Sequence, residues 1–175
     1  MNSDYSVLRD PESFESIKVH DNQISSKSGK VYEITDGIPR FVERSNYSDD
    51  FGFQWKKFSK TQLDSYTGLK ITEDRLKRCL GRPLDSLKNK LILEAGSGAG
   101  RFTEILLKYG GNIHSFDYSS AVDANAINNG DTDSLTLVQA DIRKIPFEKN
   151  KYDFVLCLGV LQHTPNPEES IKSLW

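Results

Sequence analysis

Cysteine is scarce in this chain: among 175 residues only two occur, Cys79 and Cys157. They are too few and too far apart for a disulfide framework or a cysteine-built metal centre. Cys157 also lies inside the apolar stretch "FVLCLG". Such thiol usage suits a reducing compartment, so a cytoplasmic setting is expected. Long apolar runs are missing as well, and none approaches the ~20 residues needed to span a bilayer. The N-terminal "MNSDYSVLRDPESFESIKV" lacks the apolar core and basic flank of a secretory leader. No charge of either sign dominates: 23 Lys and Arg stand against 25 Asp and Glu, for a net charge of −2. A broad field that would draw the chain to nucleic acid or anionic lipid is therefore absent. Internal repeats and low-complexity segments are absent too. What is present is a globular composition, 37% hydrophobic and 27% charged, too apolar for a disordered chain. Its length suits one compact domain with a small appendage.

Turn signals and periodicity divide the chain into three expected parts. Residues 1–45 form a small β-hairpin extension, with strands at 23–25 and 31–34 around a Ser28-Gly29 turn. "DGIP" then breaks the chain. This piece is too small for a core of its own and is expected to pack on the rest of the chain. Residues 46–90 form a helical cap or lid. Phe51, Trp55 and Phe58 fall on one helical face. In "TEDRLKRCLG", Thr72 is the expected N-cap, Leu76 and Leu80 share a face, and Gly81 with Pro83 behind it is the stop. Phe51, Phe53 and Trp55 are candidates for a lid over a ligand cleft, with ordinary helix packing as the alternative.

From residue 91 strands and helices alternate. Strands are expected at 91–94, 113–116, 135–138 and 152–158, and helices at 101–109, 119–128 and from Pro167 onward. That alternation implies right-handed crossovers and a parallel sheet, an α/β fold.

Ligands of such sheets bind beyond the carboxyl ends of the strands. The first strand here runs into "LEAGSGAGRF". Gly96 and Gly98 can take positive φ and let the backbone approach a ligand, and Gly100 lets the next helix pack closely. A tight strand-to-helix turn with no ligand is the alternative. Asp117 closes the second strand, where a carboxylate can accept hydrogen bonds from both hydroxyls of a ribose. Asp141 closes the third in "VQADIRKIPF", placed for an adenine edge. Glycines, acid and acid on three successive strand ends describe an adenosine site. A dinucleotide turn, G-x-G-x-x-G, sets its last glycine one residue later and its helix N-terminus toward a pyrophosphate. Glu94, just before the turn, would repel a pyrophosphate but can hold the ammonium group of an amino acid. These residues favour S-adenosylmethionine over a dinucleotide.

The stretches "LILEAGSGAGRFT", "SFDYS", "VQADIRKIPF" and "YDFVLCLGVLQHTPNPEESIKSLW" resemble successive motifs of the class I S-adenosylmethionine-dependent methyltransferases. The resemblance covers residues 91–175 and implies a Rossmann-like, doubly wound parallel sheet, partial here, in the order 3-2-1-4. It implies that Glu94, Gly96, Gly98 and Gly100 line the methionine end of the cofactor. Asp117 would bind the ribose with Tyr118 beside the adenine, and Asp141 with Ile142 would bind the adenine edge. Leu158 and Gly159 would lie near the sulfonium and the acceptor. Upstream, "YEITDGIPRFV" and "FGFQWKKFSKTQLDSYTG" are similar to a subgroup with a zinc-ribbon-like N-terminal piece. The paired cysteines of that piece are missing, so no metal is expected.

Methyl transfer is an in-line displacement that needs alignment and exclusion of water more than a nucleophile. An acceptor that must lose a proton needs a base. His163 in "LQHTPNP" is the candidate base or substrate contact, and a loop residue bonded to backbone is the alternative. The fourth strand would form an exposed sheet edge open to self-association. The sequence is expected to be a fragment or truncated form, with the acceptor-binding part largely missing. A small-molecule acceptor is expected and nucleic acid disfavoured. Two other readings stay open: a binding module without turnover, and, disfavoured by Glu94 and Arg101, a nucleotide-dependent oxidoreductase.

Overall fold

The computed structural model describes residues 5–43 and 60–175. Four short strands come first: β1 (Lys18–His20), β2 (Gln23–Ser25), β3 (Val31–Thr35) and β4 (Ile38–Arg40). Two helices come after them, α1 (Asp64–Thr67) and α2 (Ile71–Leu80). The alternating part comprises β5 (Leu91–Ala95), α3 (Arg101–Lys108), β6 (Asn112–Asp117), α4 (Ala121–Asn129), β7 (Leu135–Gln139), β8 (Phe154–Leu156) and α5 (Pro167–Ser173).

All eight strands join one sheet in the order β1-β2-β3-β4-β7-β6-β5-β8. The strands β7, β6, β5 and β8 pair in parallel. They are the third, second, first and fourth of the alternating part, so the expected 3-2-1-4 order holds. The sheet does not stop at four strands, however. β1 to β4 form an antiparallel meander whose last strand docks in parallel on β7, with Arg40 opposite Gln139. "DGIP" is therefore a turn into a strand and not a break. Asp36 and Gly37 both adopt positive φ, 52° and 73°, the signature of a two-residue hairpin turn. Pro39 is tolerated in β4 because pairing with β7 begins one residue later. There the Phe41 N–H donates to the Gln139 carbonyl (2.8 Å).

Side-chain alternation splits the apolar residues between the two faces of the sheet. Ile92 packs with Phe102, Ile105, Leu106, Val122 and Leu137 on one face. Leu93 and Ala95 pack with Phe116, Val138, Ala140 and Phe147 on the other, where Leu8, Ile24, Tyr32 and Ile34 of the N-terminal segment complete the layer. Both faces are covered, as a parallel sheet requires.

Several boundaries differ from expectation in instructive ways. Thr72 sits within the first turn of α2 and is not its cap. The Asp64 carboxylate does that work from a distance, accepting from the Thr72 N–H and the Glu73 N–H, both at 2.9 Å. Gly81 stops α2 with φ 61°. Asn166 caps α5 ahead of Pro167, accepting from the Glu169 N–H. The fourth strand is shorter than expected at both ends, Phe154–Leu156, and Tyr152 ahead of it meets His114, its hydroxyl 2.9 Å from Nδ1. The aromatic face Phe51, Trp55 and Phe58, and with it the expected lid of Phe51, Phe53 and Trp55, lies outside the described residues. No helix among the described residues is long and apolar enough to cross a membrane.

Candidate cofactor site

The carboxyl ends of the four parallel strands open on a cleft of about 320 Å³. Its floor is the turn after β5. Gly96 has φ 81°, and a Cβ there would run into the Val160 side chain. Gly100 has φ 88°, and a Cβ there would collide with the side-chain amides of Asn125 and Asn129. Both positions thus need glycine twice over, for backbone conformation and for space. Asn128 and Asn129 of α4 hold the turn from behind, donating to the carbonyls of Ala99 (2.9 Å) and Gly100 (3.0 Å).

Asp117, at the end of β6, ties the turn to the neighbouring strand. Its Oδ2 accepts from the Gly98 N–H (2.8 Å), and its Oδ1 accepts from the Ser119 N–H (2.8 Å) and hydroxyl (2.7 Å). Tyr118 lies on the cleft wall, its carbonyl accepting from Gln139 Nε2 (3.0 Å). Asp141, beyond β7, is gripped by Arg143. The Arg143 N–H donates to Oδ1 (2.8 Å), Nε reaches both oxygens, and Nη2 donates to Oδ2 (2.6 Å). Ile142, Leu158, Gly159 and His163 complete that side. His163 ends a 3-10 turn, Leu161–His163, with its N–H on the Val160 carbonyl.

The structure thus brings Gly96, Gly98, Asp117, Tyr118, Asp141, Ile142, Leu158, Gly159 and His163 to one lining. Glu94 and Gly100 stand behind that lining. Glu94 points to the α3 face of the sheet and is only 2% exposed. Its Oε2 accepts from the hydroxyls of Thr103 (2.6 Å) and Ser115 (2.7 Å). Asn125 Nδ2 in turn donates to Thr103 Oγ1 (2.9 Å). The Oε1 atom is buried and has no partner among the described residues. Burial pushes the Glu94 carboxyl up to about 7, against the pull of the two hydroxyls, and the charge of Asp117 adds to the rise.

The opposite wall was harder to foresee. Gln62, Leu63, Arg75 and Phe102 line the cleft together with Arg101. Arg101 opens α3 and donates from Nη1 to Gln62 Oε1 (3.2 Å), while its Nε is buried without a partner among the described residues. Burial first, and the like charge of Arg75 second, pull its guanidinium below the ordinary value. Position next to the glycine turn was the available signal for Arg101. Arg75 gave none, being one cation among several in an amphipathic helix.

Residues 93–175 match a protein family described as "Methyltransferase domain". Among curated proteins, the ubiquinone biosynthesis O-methyltransferase of Hydrogenovibrio crunogenus is 33% identical over 96 residues, 53% of this chain and 39% of that protein. The protein of that name from Coxiella burnetii is 29% identical over 90 residues, 50% of this chain and 38% of its own length. The tRNA U34 carboxymethyltransferase of Nautilia profundicola is 31% identical over 96 residues, 53% of this chain and 32% of that protein. The chain thus spans well under half the length of these relatives. Among solved structures, magnesium protoporphyrin IX methyltransferase from Synechocystis, with SAH bound, superposes with a TM-score of 0.53 at 22% identity. That likeness covers 73% of this chain and 63% of the other and establishes the fold. Residues 93–175 are thus similar to the methyltransferase-domain family, and the solved structure shows the fold.

Proposed function

We propose that this cleft binds S-adenosylmethionine and that the chain takes part in passing its methyl group to a small-molecule acceptor in the cytoplasm. One observation supports the reading above all others: three successive strand ends deliver the glycine turn, Asp117 and Asp141 to a single cleft. The residues present fit the group. Gly96, where no Cβ has room, allows close backbone approach at the methionine end. Asp117 would receive the ribose hydroxyls on lone pairs that its three present hydrogen bonds leave over. Tyr118 and Ile142 would flank the adenine, with Asp141 at its edge. Glu94 Oε1, buried behind the turn with no partner among the described residues, is suited to a bridging water that would link it to an ammonium group.

The bound cofactor supplies a methyl carbon on a sulfonium, an electrophile with a good leaving group already in place. The chain's part is alignment and dryness. Leu158 and Gly159 lie at the end of β8, where donor and acceptor would meet, and Val160 closes the floor against Gly96. His163 on the same wall would take a proton from the acceptor or hold it in place. The small-molecule acceptor rests on the near-neutral charge and on the curated relatives named for ubiquinone biosynthesis. The relative named for tRNA keeps RNA as the competing acceptor class.

Calorimetric titration with S-adenosylhomocysteine, with NAD alongside, tests the reading. Binding of the first alone is the expected result. A folded chain that binds neither, or NAD only, would overturn it. A His163→Ala variant that keeps full turnover would remove the proton-handling role.

A further inference from the structure

The antiparallel meander reaches toward the adenosine wall through one side chain. Arg40, the last residue of β4, lies opposite Gln139, the last residue of β7. Its guanidinium is mostly buried and divides its donors among several acceptors. Nη1 donates to Gln139 Oε1 (3.2 Å). Nη2 donates to Asp123 Oδ1 (2.6 Å), in the first turn of α4, and to the Thr35 carbonyl (3.3 Å). The buried Gln139 amide passes the contact on, its Nε2 donating to the Tyr118 carbonyl (3.0 Å). Partners on both sides dictate how that amide is turned, since its oxygen must face the guanidinium and its nitrogen the carbonyl. The Tyr118 carbonyl and the Ser119 N–H belong to one peptide unit, and that N–H donates to Asp117 Oδ1 (2.8 Å). A continuous chain of hydrogen bonds thus runs from Arg40 to the acid that closes β6.

We propose that Arg40 is a positioning residue for the adenosine half of the cofactor, acting through Gln139 and the Tyr118–Ser119 peptide on Asp117 and Tyr118. The inference rests on the reading of the cleft as an S-adenosylmethionine site and adds a role for the N-terminal strands in it. Arg40, Gln139 and Asp123 stand outside the cleft lining, whereas Asp117, Tyr118 and Ser119 belong to it. Residues 118–120 connect β6 to α4. One guanidinium holds that connection on both sides, at Tyr118 through the amide and at Asp123 directly. Without it, the buried Gln139 oxygen loses a charged donor and the amide is free to turn its nitrogen away from Tyr118. Hydrogen bonds in such a chain polarise one another, so a loss at one end reaches the other. The meander is thereby part of the scaffold that sets the ribose acid, although it contributes no residue to the cleft surface.

The test measures S-adenosylhomocysteine and 5′-methylthioadenosine binding by calorimetry in the whole native chain, in Arg40→Met and in Gln139→Met. Methionine keeps an unbranched stem at both positions and removes the polar head. Each variant should bind both ligands roughly fivefold more weakly. Equal loss on the two ligands marks the adenosine half, because 5′-methylthioadenosine lacks the amino-acid end. The double variant should bind no more weakly than the weaker single variant, because both residues act through one chain. Ile38→Val, which thins the packing of β4 without touching the chain, should lower the urea midpoint and leave both affinities native. A lowered urea midpoint in Arg40→Met with native affinities would mean a purely structural role and overturn the proposal. So would additive losses in the double variant, or an equal weakening in Ile38→Val. Should Arg40→Met not fold, Arg40→Lys keeps a cation for Asp123 but gives up the fork, and the same loss of affinity is expected from it. If the folded native chain binds neither ligand, the cofactor reading falls. The Ser119 amide signal in the ligand-free chain, followed by NMR, then decides the relay on its own. It should shift in Arg40→Met, and an unchanged signal would overturn the proposal.

Discussion

The two walls of the cleft hold their charges differently. On the strand side, Asp117 and Asp141 are both engaged, the first by Gly98 and Ser119, the second by Arg143. Those contacts fix the carboxylates at strand ends that the sheet already positions, so little reorganisation stands between this wall and a ligand. On the helical side, Arg75 and Arg101 share an aromatic ring and repel each other, and the Nε of Arg101 has no acceptor among the described residues. A wall with its hydrogen bonds made is built to present a fixed shape. A wall that keeps a buried donor without an acceptor among the described residues is less settled. Behind the strand side lies an exception, Glu94 Oε1, which has no partner among the described residues, and it offers a way to test whether that wall is as settled as its acids suggest.

The largest expected effect comes from removing the space on which the strand wall depends. Gly100→Ala puts a methyl group into the Asn125 and Asn129 amides at a backbone φ of 88°. Left-handed strain and overpacking together should destabilise the chain by on the order of 4 kcal/mol. Urea unfolding measures this directly. A loss under about 1 kcal/mol would mean that the turn is softer than the hydrogen bonds from α4 imply.

Glu94 comes next and has a definite sign. Its carboxyl titrates near 7 in the folded chain, above the ordinary 4.5. The folded state therefore binds the proton more tightly than the unfolded state. The chain should be most stable, as far as this group is concerned, below about pH 4.5, and should lose stability as pH rises to about 7. The full change is about 3 kcal/mol for a group so buried. Glu94→Gln should flatten that slope. Unfolding free energies between about pH 5 and 8 that fall equally in both proteins would remove Glu94 as the cause.

Asp117→Ala should weaken S-adenosylhomocysteine binding by about 2 kcal/mol, roughly thirtyfold, through loss of the ribose acceptor and of the bond that holds Gly98. Calorimetry on the variant checks it. Unchanged affinity would show that the ribose, and with it the adenosine reading of this wall, belongs elsewhere.

The contrast between the walls also marks what could be learned from sequence. The α/β class and the 3-2-1-4 order were legible because apolar strands and amphipathic helices alternate with different periods from residue 91 onward. The glycine turn and its acids were legible because they sit at strand ends, where position in the fold follows from position in the chain. β4 was not, because Asp36-Gly37 followed by Pro39 looks like chain-breaking until the partner strand β7 is known. Arg75 was not, because a cation on a helix looks the same whether it faces solvent or a cleft. The grip of Arg143 on Asp141 was hidden for a related reason: spacing places a carboxylate but does not say which of its lone pairs are taken.

That grip gives the smallest and most delicate test. Arg143 covers both oxygens of Asp141, and the pair is partly exposed, with 30% and 16% of the side-chain surfaces open. Such a pair contributes under about 1 kcal/mol to stability, so Arg143→Ala should unfold at nearly the native urea concentration. Its effect on binding depends on what the strand wall needs. If a bound adenine edge requires a free Asp141 oxygen, Arg143 competes with the ligand. The variant should then bind S-adenosylhomocysteine a few-fold more tightly, about 0.5–1 kcal/mol. If Arg143 instead serves to aim the carboxylate, the same variant binds more weakly. The first result would make this acid a gated acceptor and the strand wall less settled than its hydrogen bonds suggest. The second would place Asp141 beside Asp117 as a group fixed in advance of its ligand.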